Sequence, residues 1–533
     1  MKRIVTALLI LAIFQLSCGV TPSLWGTAPT PTPPLPPASN FPETPVIFPS
    51  QAPTLTPGPT STAITSFVTP TRSGTGLSVP VQPATESVAQ ILYYAKSGDT
   101  LGAIARRFNV DPSGITSSTP LPEKVLIDPG TLMFIPNRIS QAMTPNLEIM
   151  PDSEVILSRS AVGFDIKGYI EDANGYLARS YSEYLGSTGW IRGPEAIKRL
   201  AFENSLNPRL LLALLEYEAR WVRGQPVDAL HTQYPMGYQN FRYKGMFSQM
   251  VWAVNQLSIA YYGWRQGTIT DLQFTDGTRL RIDPRLNAGT VAIQYLFSKL
   301  HSQSQWAQIM DPDSGFPAMY TEMFGDPWAR DERVGAIFPA GLVQPELQLP
   351  FNSNVEWSYT GGPHGAWEHD GALAAIDFAP ATDHGGCSQT NTWVLAAASG
   401  MVTRSGQGVV VIDLDGDGFE ETGWSLLYLH IATKDRVLAK TWVDVNDQIG
   451  HASCEGGVAT GTHLHLARKY NGEWVAADGP LPFSLGGWTV VAGAAPYQGL
   501  LVKDDKTIVA DPVGQAWSVI FRESNVPPTA VGP

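Results

Sequence analysis

The chain has 533 residues, enough for three or four domains of ordinary size rather than one. Its hydrophobic content of 43% suffices for buried cores, and a formal net charge of -13 speaks against nucleic acid as a partner. The 43 prolines exceed average usage and are unevenly placed.

Met1-Lys2-Arg3 gives a basic start, and Ile4 to Leu16 is an apolar run too short to span a bilayer. Residues 1–18 therefore read as an export signal. Ser17-Cys18-Gly19 follows at once and resembles the lipobox of bacterial lipoproteins, with Gln15 where Leu is usual. The resemblance implies that Cys18 is lipidated and anchors the chain to a membrane, on the outer side of the cell; plain secretion is the alternative. With Cys18 set aside, Cys387 and Cys454 remain as an even pair. In an exported chain that is a candidate disulfide, two free thiols being the alternative.

Residues 19–88 are rich in Pro, Thr and Ser and keep neither a helical nor a strand period. Such a segment cannot bury enough apolar surface to offset chain entropy, which predicts a disordered, extended tether.

Residues 89–138 form a small unit. "ILYYA" reads as a strand, and "GDTLGAIARRFNV" as a turn and a helix with Ile104, Ala105 and Phe108 on one face. "DPGTLMFIPNR" reads as a turn, a strand and a proline stop. At Gly98-Asp99-Thr100-Leu101 and Pro129-Gly130-Thr131-Leu132 the unit resembles a LysM domain, although Ser117-Ser118-Thr119 stand where that family carries Asn in its second helix. The resemblance implies a β-α-α-β module that binds N-acetylglucosamine-containing glycan. A module that only spaces domains is the alternative.

Residues 165–345 read as mostly helical. In "NSLNPRLLLALLEYEARWV", Asn207 can cap a helix and Pro208 suits its first turn. Leu211, Leu214, Leu215, Glu218 and Val222 then share one face, with Glu216 pointing away from it. An acid in an apolar stripe is desolvated and its pKa rises, as a general acid for glycosidic cleavage requires. This stretch and "DPRLNAGTVAIQYL" resemble the lysozyme-like lytic transglycosylases, and Glu218 falls where that family has its catalytic Glu. Ala219 replaces the Ser that usually follows, and the expected Gly-Leu-Met-Gln stretch is missing. A buried structural acid paired with an Arg is the other reading of Glu218.

The strongest chemical signal lies in residues 349–494. "GTHLHLA" places His463 and His465 two apart in a strand-like run, so both rings face one way. "LLYLHI" adds His430, and "GGPHGAWEHDGALAAIDFAP" adds His364 and Asp377. Two His and one carboxylate form a catalytic zinc set with a coordination position left open, and further His residues nearby can move protons. The three segments, in this order, resemble the lysostaphin and beta-lytic family of zinc endopeptidases; so do "AAASGMVTRSG", "WVDVNDQIGHASCEGGVATGTHLH" and "SLGGWTV". The resemblance implies an antiparallel β-sheet domain with His364, Asp377 and His465 on Zn2+. His430 and His463 would act on the attacking water and the tetrahedral oxyanion. His369 is the alternative first ligand; with His364 chosen, His369 and His384 become surface residues. In the beta-lytic style Cys387 and Cys454 would be bonded.

In "VIDLDGDGFEE", Asp413, Asp415 and Asp417 precede Gly418 with the spacing of a Ca2+ loop. No Glu stands where an EF-hand needs one, and Asp-Gly between two strands favours a hairpin. Residues 495–533 read as a short β extension and tail.

The whole predicts a multidomain, exported wall hydrolase whose modules share peptidoglycan as partner, its stem peptides for the zinc site and its glycan for the LysM unit. Two alternatives remain at this level: an inactive wall-binding regulator of other hydrolases, and a lytic transglycosylase acting through Glu218.

Overall fold

A computed structural model describes residues 89–523, apart from 187, 368, 369, 383 and 384. The export signal, Cys18, the tether, His369 and His384 lie outside the described residues. No helix among the described residues is long and apolar enough to cross a membrane.

The first unit is a three-stranded antiparallel sheet of β1 (Gln90–Tyr94), β2 (Thr116–Ser117) and β3 (Leu132–Pro136) in the order β1-β3-β2, covered by α1 (Leu101–Phe108). Thr100 caps α1 by accepting from Ala103 N, and Ile104, Ala105 and Phe108 are buried as the periodicity predicts. The Gly98-Asp99-Thr100-Leu101 motif is structural here. Asp99 is buried and takes the Arg107 guanidinium at 2.5 Å, the Tyr93 hydroxyl at 2.6 Å and the Lys96 N–H at 2.8 Å. In place of the second α-helix of the expected β-α-α-β order stands a single 3-10 turn, Pro112–Gly114, followed by β2; residues 118–131 run as turns and loop. Pro120 and Pro122 remove backbone donors there, and the preceding Ser-Ser-Thr run competes for the backbone, so a helix has nothing to propagate on.

The middle region is helical. In α2 (Gly193–Asn204), α3 (Pro208–Ala219), α4 (Met246–Gln266) and α5 (Ala288–Leu300) the apolar residues sit at helical spacing. Met250, Ala253, Val254, Leu257, Ala260, Tyr261 and Trp264 of α4 are buried, and α4 packs along α5. Leu210, Leu211, Leu212, Leu214 and Leu215 of α3 are all fully buried, so α3 is apolar on nearly every side and runs through the core. Each such leucine contributes about 1.5–3 kcal/mol relative to exposure.

The last region is built on an antiparallel sheet that has nine strands among the described residues. Its members are β4 (Trp357–His364), β5 (Ala375–Pro380), β6 (Gly400–Gly406), β7 (Val409–Asp413), β8 (Trp424–Leu429), β9 (Trp442–Val443), β10 (Leu464–Tyr470), β11 (Glu473–Trp474) and β12 (Val519–Ile520). They run β9-β6-β7-β8-β10-β5-β4-β12, with β11 paired to β10. The sheet thus continues past residue 494: β12 pairs with β4, and strand Gly499–Lys503 belongs to a separate four-stranded sheet beside it. Both faces of the central strands are covered, which is why β7 is buried along its whole length and β8 and β10 at all but one end residue, polar side chains such as Ser425, Arg468 and Lys469 included.

The β10–β11 turn is inserted into the helical region. At Gly472 (φ 79°) a Cβ would run into Leu157 O, and Ser205 Oγ donates to Gly472 O at 2.6 Å. Glu473, 2% exposed, accepts from Tyr261 Oη at 2.7 Å and pairs with Arg265 at 3.0 Å; Arg265 also pairs with Asp152 and donates to Ser97 O. One guanidinium therefore joins the first unit, α4 and the sheet, and the charges of Glu473 hold its pKa above the ordinary arginine value against the effect of burial. Arg107 lies over the Trp264 ring at 5.0 Å on the same boundary. Replacing Arg265 by Met leaves the buried Glu473 and the half-buried Asp152 without their counter-charge, which costs about 3–5 kcal/mol. The expected outcome is a marked fall in the denaturation midpoint of the whole chain, with much less effect from Arg279→Met at an exposed position.

Candidate metal centre

Four adjacent strands bring the predicted residues to one place. Asp377 on β5 and His465 on β10 are direct cross-strand partners. On the far side of β10, Leu429 of β8 pairs with His465, so His430 comes just beyond the end of β8. His364 closes β4, the strand on the other side of β5, and His463 immediately precedes β10. The two glycines before Pro363-His364 are required by close approach: a Cβ on Gly361 would meet Asp377 Oδ2 at 2.5 Å, and one on Gly362 would run into Gln498 backbone.

His364 Nε2 and His465 Nδ1 lie 3.0 Å apart, and each is 3.3 Å from Asp377 Oδ1. All three residues are buried, and Asp377 Oδ1 has no hydrogen-bond partner. The remaining ring nitrogens fix the tautomers, because a backbone carbonyl can only accept. His364 Nδ1–H donates to Gly362 O at 2.8 Å, and His465 Nε2–H donates to Ala366 O at 3.0 Å. The two facing nitrogens therefore present lone pairs to each other and to an orphaned carboxylate oxygen. Three converging acceptors without a donor are an unfavourable arrangement until a cation lies among them, so the residues fit a divalent metal. Burial alone would lower His364, but Asp377 prevails and holds it above the usual imidazole range. Burial, opposed by Asp377, keeps His465 below that range, and the two imidazoles hold Asp377 far below the carboxylate range despite its burial.

The other two histidines follow the same rule. His430 Nδ1–H donates to Glu455 O at 3.1 Å and His463 Nδ1–H to Gly461 O at 2.7 Å. Each Nε2 is left with a lone pair; that of His463 lies 3.8 Å from Asp377 Oδ1, and the two rings are 4.4 Å apart. Burial, then the neighbouring His463 and His465, push His430 down to about 3, so it is neutral at physiological pH. These groups line a cleft of about 460 Å³ with Trp367, the Gly457–Thr462 segment and Tyr497 among its walls.

Tyr497 was not predicted. Its ring stacks on His364 at 4.2 Å, and its backbone, at φ 69°, exchanges hydrogen bonds with Gly362 and Pro363. A lone Tyr in a short β extension carries no local signal, since only the fold carries that loop over β4.

Glu218 stands elsewhere, on α3, and differs from expectation. It is bonded to His301 Nε2 at 2.9 Å, not to an Arg, so it is not an unpartnered acid in an apolar stripe. Nor does Glu216 point away: it is buried and accepts from Val222 N and Arg223 N. The helix stops at Ala219 with Arg220 in the left-handed region, and the returning chain brings those N–H groups onto Glu216. Asn207 and Pro208 start α3 as predicted.

Asp413, Asp415 and Asp417 converge, with ligand atoms within 4.8 Å, in the loop joining the antiparallel pair β7 and β8. Burial and Asp415 push Asp413 up to about 7. The loop is longer than a two-residue hairpin, and its N–H groups, from Asp415 and Gly418, turn onto Asp413. Cys387 and Cys454 are bonded.

Two histidines and a carboxylate at the head of an open cleft, flanked by two further imidazoles, are the donor set of a metallohydrolase centre. Comparison with known proteins agrees. Residues 148–337, the helical region, match the family described as LasA, N-terminal domain. The chain is similar to Protease LasA of Pseudomonas aeruginosa (strain UCBPP-PA14), at 25% identity over 376 residues, 67% of this chain and 82% of that protein. It is also similar to the Beta-lytic metalloendopeptidase of Achromobacter lyticus, at 28% identity over 169 residues, 30% of this chain and 41% of that protein. Among solved structures, the M23 metalloprotease pseudoalterin from the deep sea aligns with 34% of this chain and 100% of its own, at 20% identity and a TM-score of 0.28. The chain is an enzyme of the metalloendopeptidase class.

Asp377→Asn removes the only negative charge among the three residues that fit a metal. It should weaken zinc binding by more than the roughly 10- to 100-fold that loss of an outer-shell partner costs, whereas His463→Ala should leave it close to wild type. Competition with a chromophoric chelator distinguishes the two; equal losses would place His463 among the ligands.

Proposed function

We propose that the chain is a zinc endopeptidase that hydrolyses the peptide cross-links of bacterial peptidoglycan outside the cell. The observation that carries this reading is the orphaned Asp377 Oδ1 between two imidazole lone pairs, with two further imidazole lone pairs facing it across the same cleft. His364, Asp377 and His465 would hold zinc, which when bound polarises a scissile carbonyl and activates water for attack. His430, neutral and with Nε2 free, receives the proton of the attacking water. His463 lies beside it with Nε2 toward the cleft, takes that proton on from His430 and delivers it to the leaving amine. Tyr497 fixes the face of His364 and closes one wall.

The substrate class rests on the relatives, which are named as a protease and a metalloendopeptidase, together with the LysM resemblance of residues 89–138. In this reading that unit binds glycan and raises the local concentration of wall peptide. Export through the N-terminal segment brings the enzyme to the wall. Glu218, engaged by His301, is proposed to be structural.

Digestion of purified peptidoglycan, with products identified by mass spectrometry, tests the reading. New peptide termini should appear with the zinc-loaded chain, vanish with His463→Ala and persist with Glu218→Gln. Reducing or anhydro sugar ends that vanish with Glu218→Gln would instead make the helical region a glycan-cleaving enzyme. Zinc bound without products of either kind would favour the wall-binding regulator.

A further inference from the structure

The three metal-type ligands are held by strand pairing, but the two remaining histidines are not. His430 lies just past β8 in the left-handed region, at φ 65°, a conformation that costs free energy for a residue with a Cβ. His463 lies just before β10. Something other than the sheet must hold them.

For His430 it is the segment Ser453–Glu455. Ser453 N and Ser453 Oγ both donate to His430 O, at 2.7 and 2.9 Å, and Glu455 O receives the ring Nδ1–H. Glu455 is itself fixed: its N–H donates to Ser453 Oγ at 3.0 Å, and its carboxylate accepts from Thr433 N at 2.8 Å and Thr433 Oγ1 at 2.5 Å, with Arg436 at 3.7 Å. For His463 it is the segment around Cys387. Gly386 O accepts from Thr462 N at 3.0 Å and Ser388 O from Thr462 Oγ1 at 2.5 Å, while Ser453 O accepts from His463 N at 3.3 Å. The Cys387–Cys454 disulfide joins these two segments directly. The Cys387 side of the bond thus holds Thr462, next to His463, and the Cys454 side holds both His430 and the His463 N–H, while none of these contacts reaches His364, Asp377 or His465.

We propose that the Cys387–Cys454 disulfide and the Glu455 side chain are the positioning device for the two metal-free histidines, separable from metal binding. Glu455 is a positioning residue: its carboxylate, clamped by Thr433, sets where the Glu455 carbonyl meets His430 and so which nitrogen of that ring faces the cleft. The disulfide couples this clamp to the segment carrying His463. The inference rests on the zinc endopeptidase reading above, in which His430 and His463 move the protons.

The test uses the whole chain, zinc-loaded, as wild type, Glu455→Ala, Glu455→Gln and the Cys387→Ser/Cys454→Ser double variant. Zinc per chain, kcat and KM on a soluble wall-derived peptide, thermal midpoint and the ¹⁵N resonances of the His430 ring are measured. Misplacing a proton-transfer group by about an ångström costs on the order of 100-fold. Glu455→Ala and the double variant should therefore lose about 10- to 100-fold in kcat, with zinc content unchanged and KM within about twofold. Glu455→Gln, which keeps an acceptor for Thr433 N, should recover most of the loss, and in Glu455→Ala the protonated-Nδ1 signature of His430 should weaken. Wild-type kcat in Glu455→Ala, or loss of zinc together with activity in that variant, would overturn the inference. An inactive zinc-loaded wild type would sink the function proposed above, not this one; the His430 resonances then decide, and no change in Glu455→Ala would overturn it.

Discussion

The site depends on one constraint: a neutral imidazole has a single N–H, and the fold assigns each one to a backbone carbonyl. Gly362 O, Ala366 O, Glu455 O and Gly461 O take the protons of His364, His465, His430 and His463. Every remaining ring nitrogen is thereby a lone pair, and all four histidines line one cleft beside Asp377. A carbonyl is a cheap but exacting orienter: it cannot reverse its role as a hydroxyl or amide can, so the tautomer is set by backbone geometry alone. The cost is a pocket of acceptors without donors, an arrangement that a cation would complete.

The rest of the chain supplies the rigidity this needs. Ala366, which receives the proton of His465, lies in the loop between β4 and β5, and that loop rests on α4: Gly371 packs on Ser258, and Asn255 Nδ2 donates to Asp370 at 3.2 Å. The helical region is therefore part of the support of the site. The Glu473–Arg265–Asp152 cluster fastens the same helix to the β10–β11 turn, at the end of β10 remote from His465. Both contacts bear on β10, the strand that carries His465 and follows His463.

Much of this was legible in the sequence, for identifiable reasons. His463 and His465 could be placed on one face because strand period is two, and the order of the three His/Asp segments announced the set that the sheet assembles. Asn207 and Pro208 marked the start of α3 through capping chemistry that is local. What was not legible depended on where the chain goes next. Glu216 and Glu218 looked distinguishable by helical phase, yet their partners come from the residues after the helix and from His301. The second helix of the first unit failed because prolines outweighed a pattern borrowed from a family. Tyr497 lies 32 residues beyond His465 in a segment with no periodicity to read.

The site divides its residues between two kinds of support, and the division follows their tasks. A metal ligand must hold a nitrogen or oxygen at a fixed distance through every step, and strand pairing gives it that: Asp377 and His465 are locked in register across the centre of a sheet. A proton carrier must meet groups that move as a peptide bond is attacked and broken, so a place at the end of a strand, on a loop, suits it better. Loops are the weaker support, however, and His430 is additionally held at a positive φ. Local hydrogen bonds to Ser453 and Glu455, reinforced by a covalent bond between two loops, restore the precision that the sheet does not extend to these positions. A disulfide also constrains the unfolded chain, but its place here, between the two segments that carry these contacts, gives it a consequence in the folded state as well. An exported protein keeps such a bond, so this division of labour suits the compartment that the N-terminal sequence predicts.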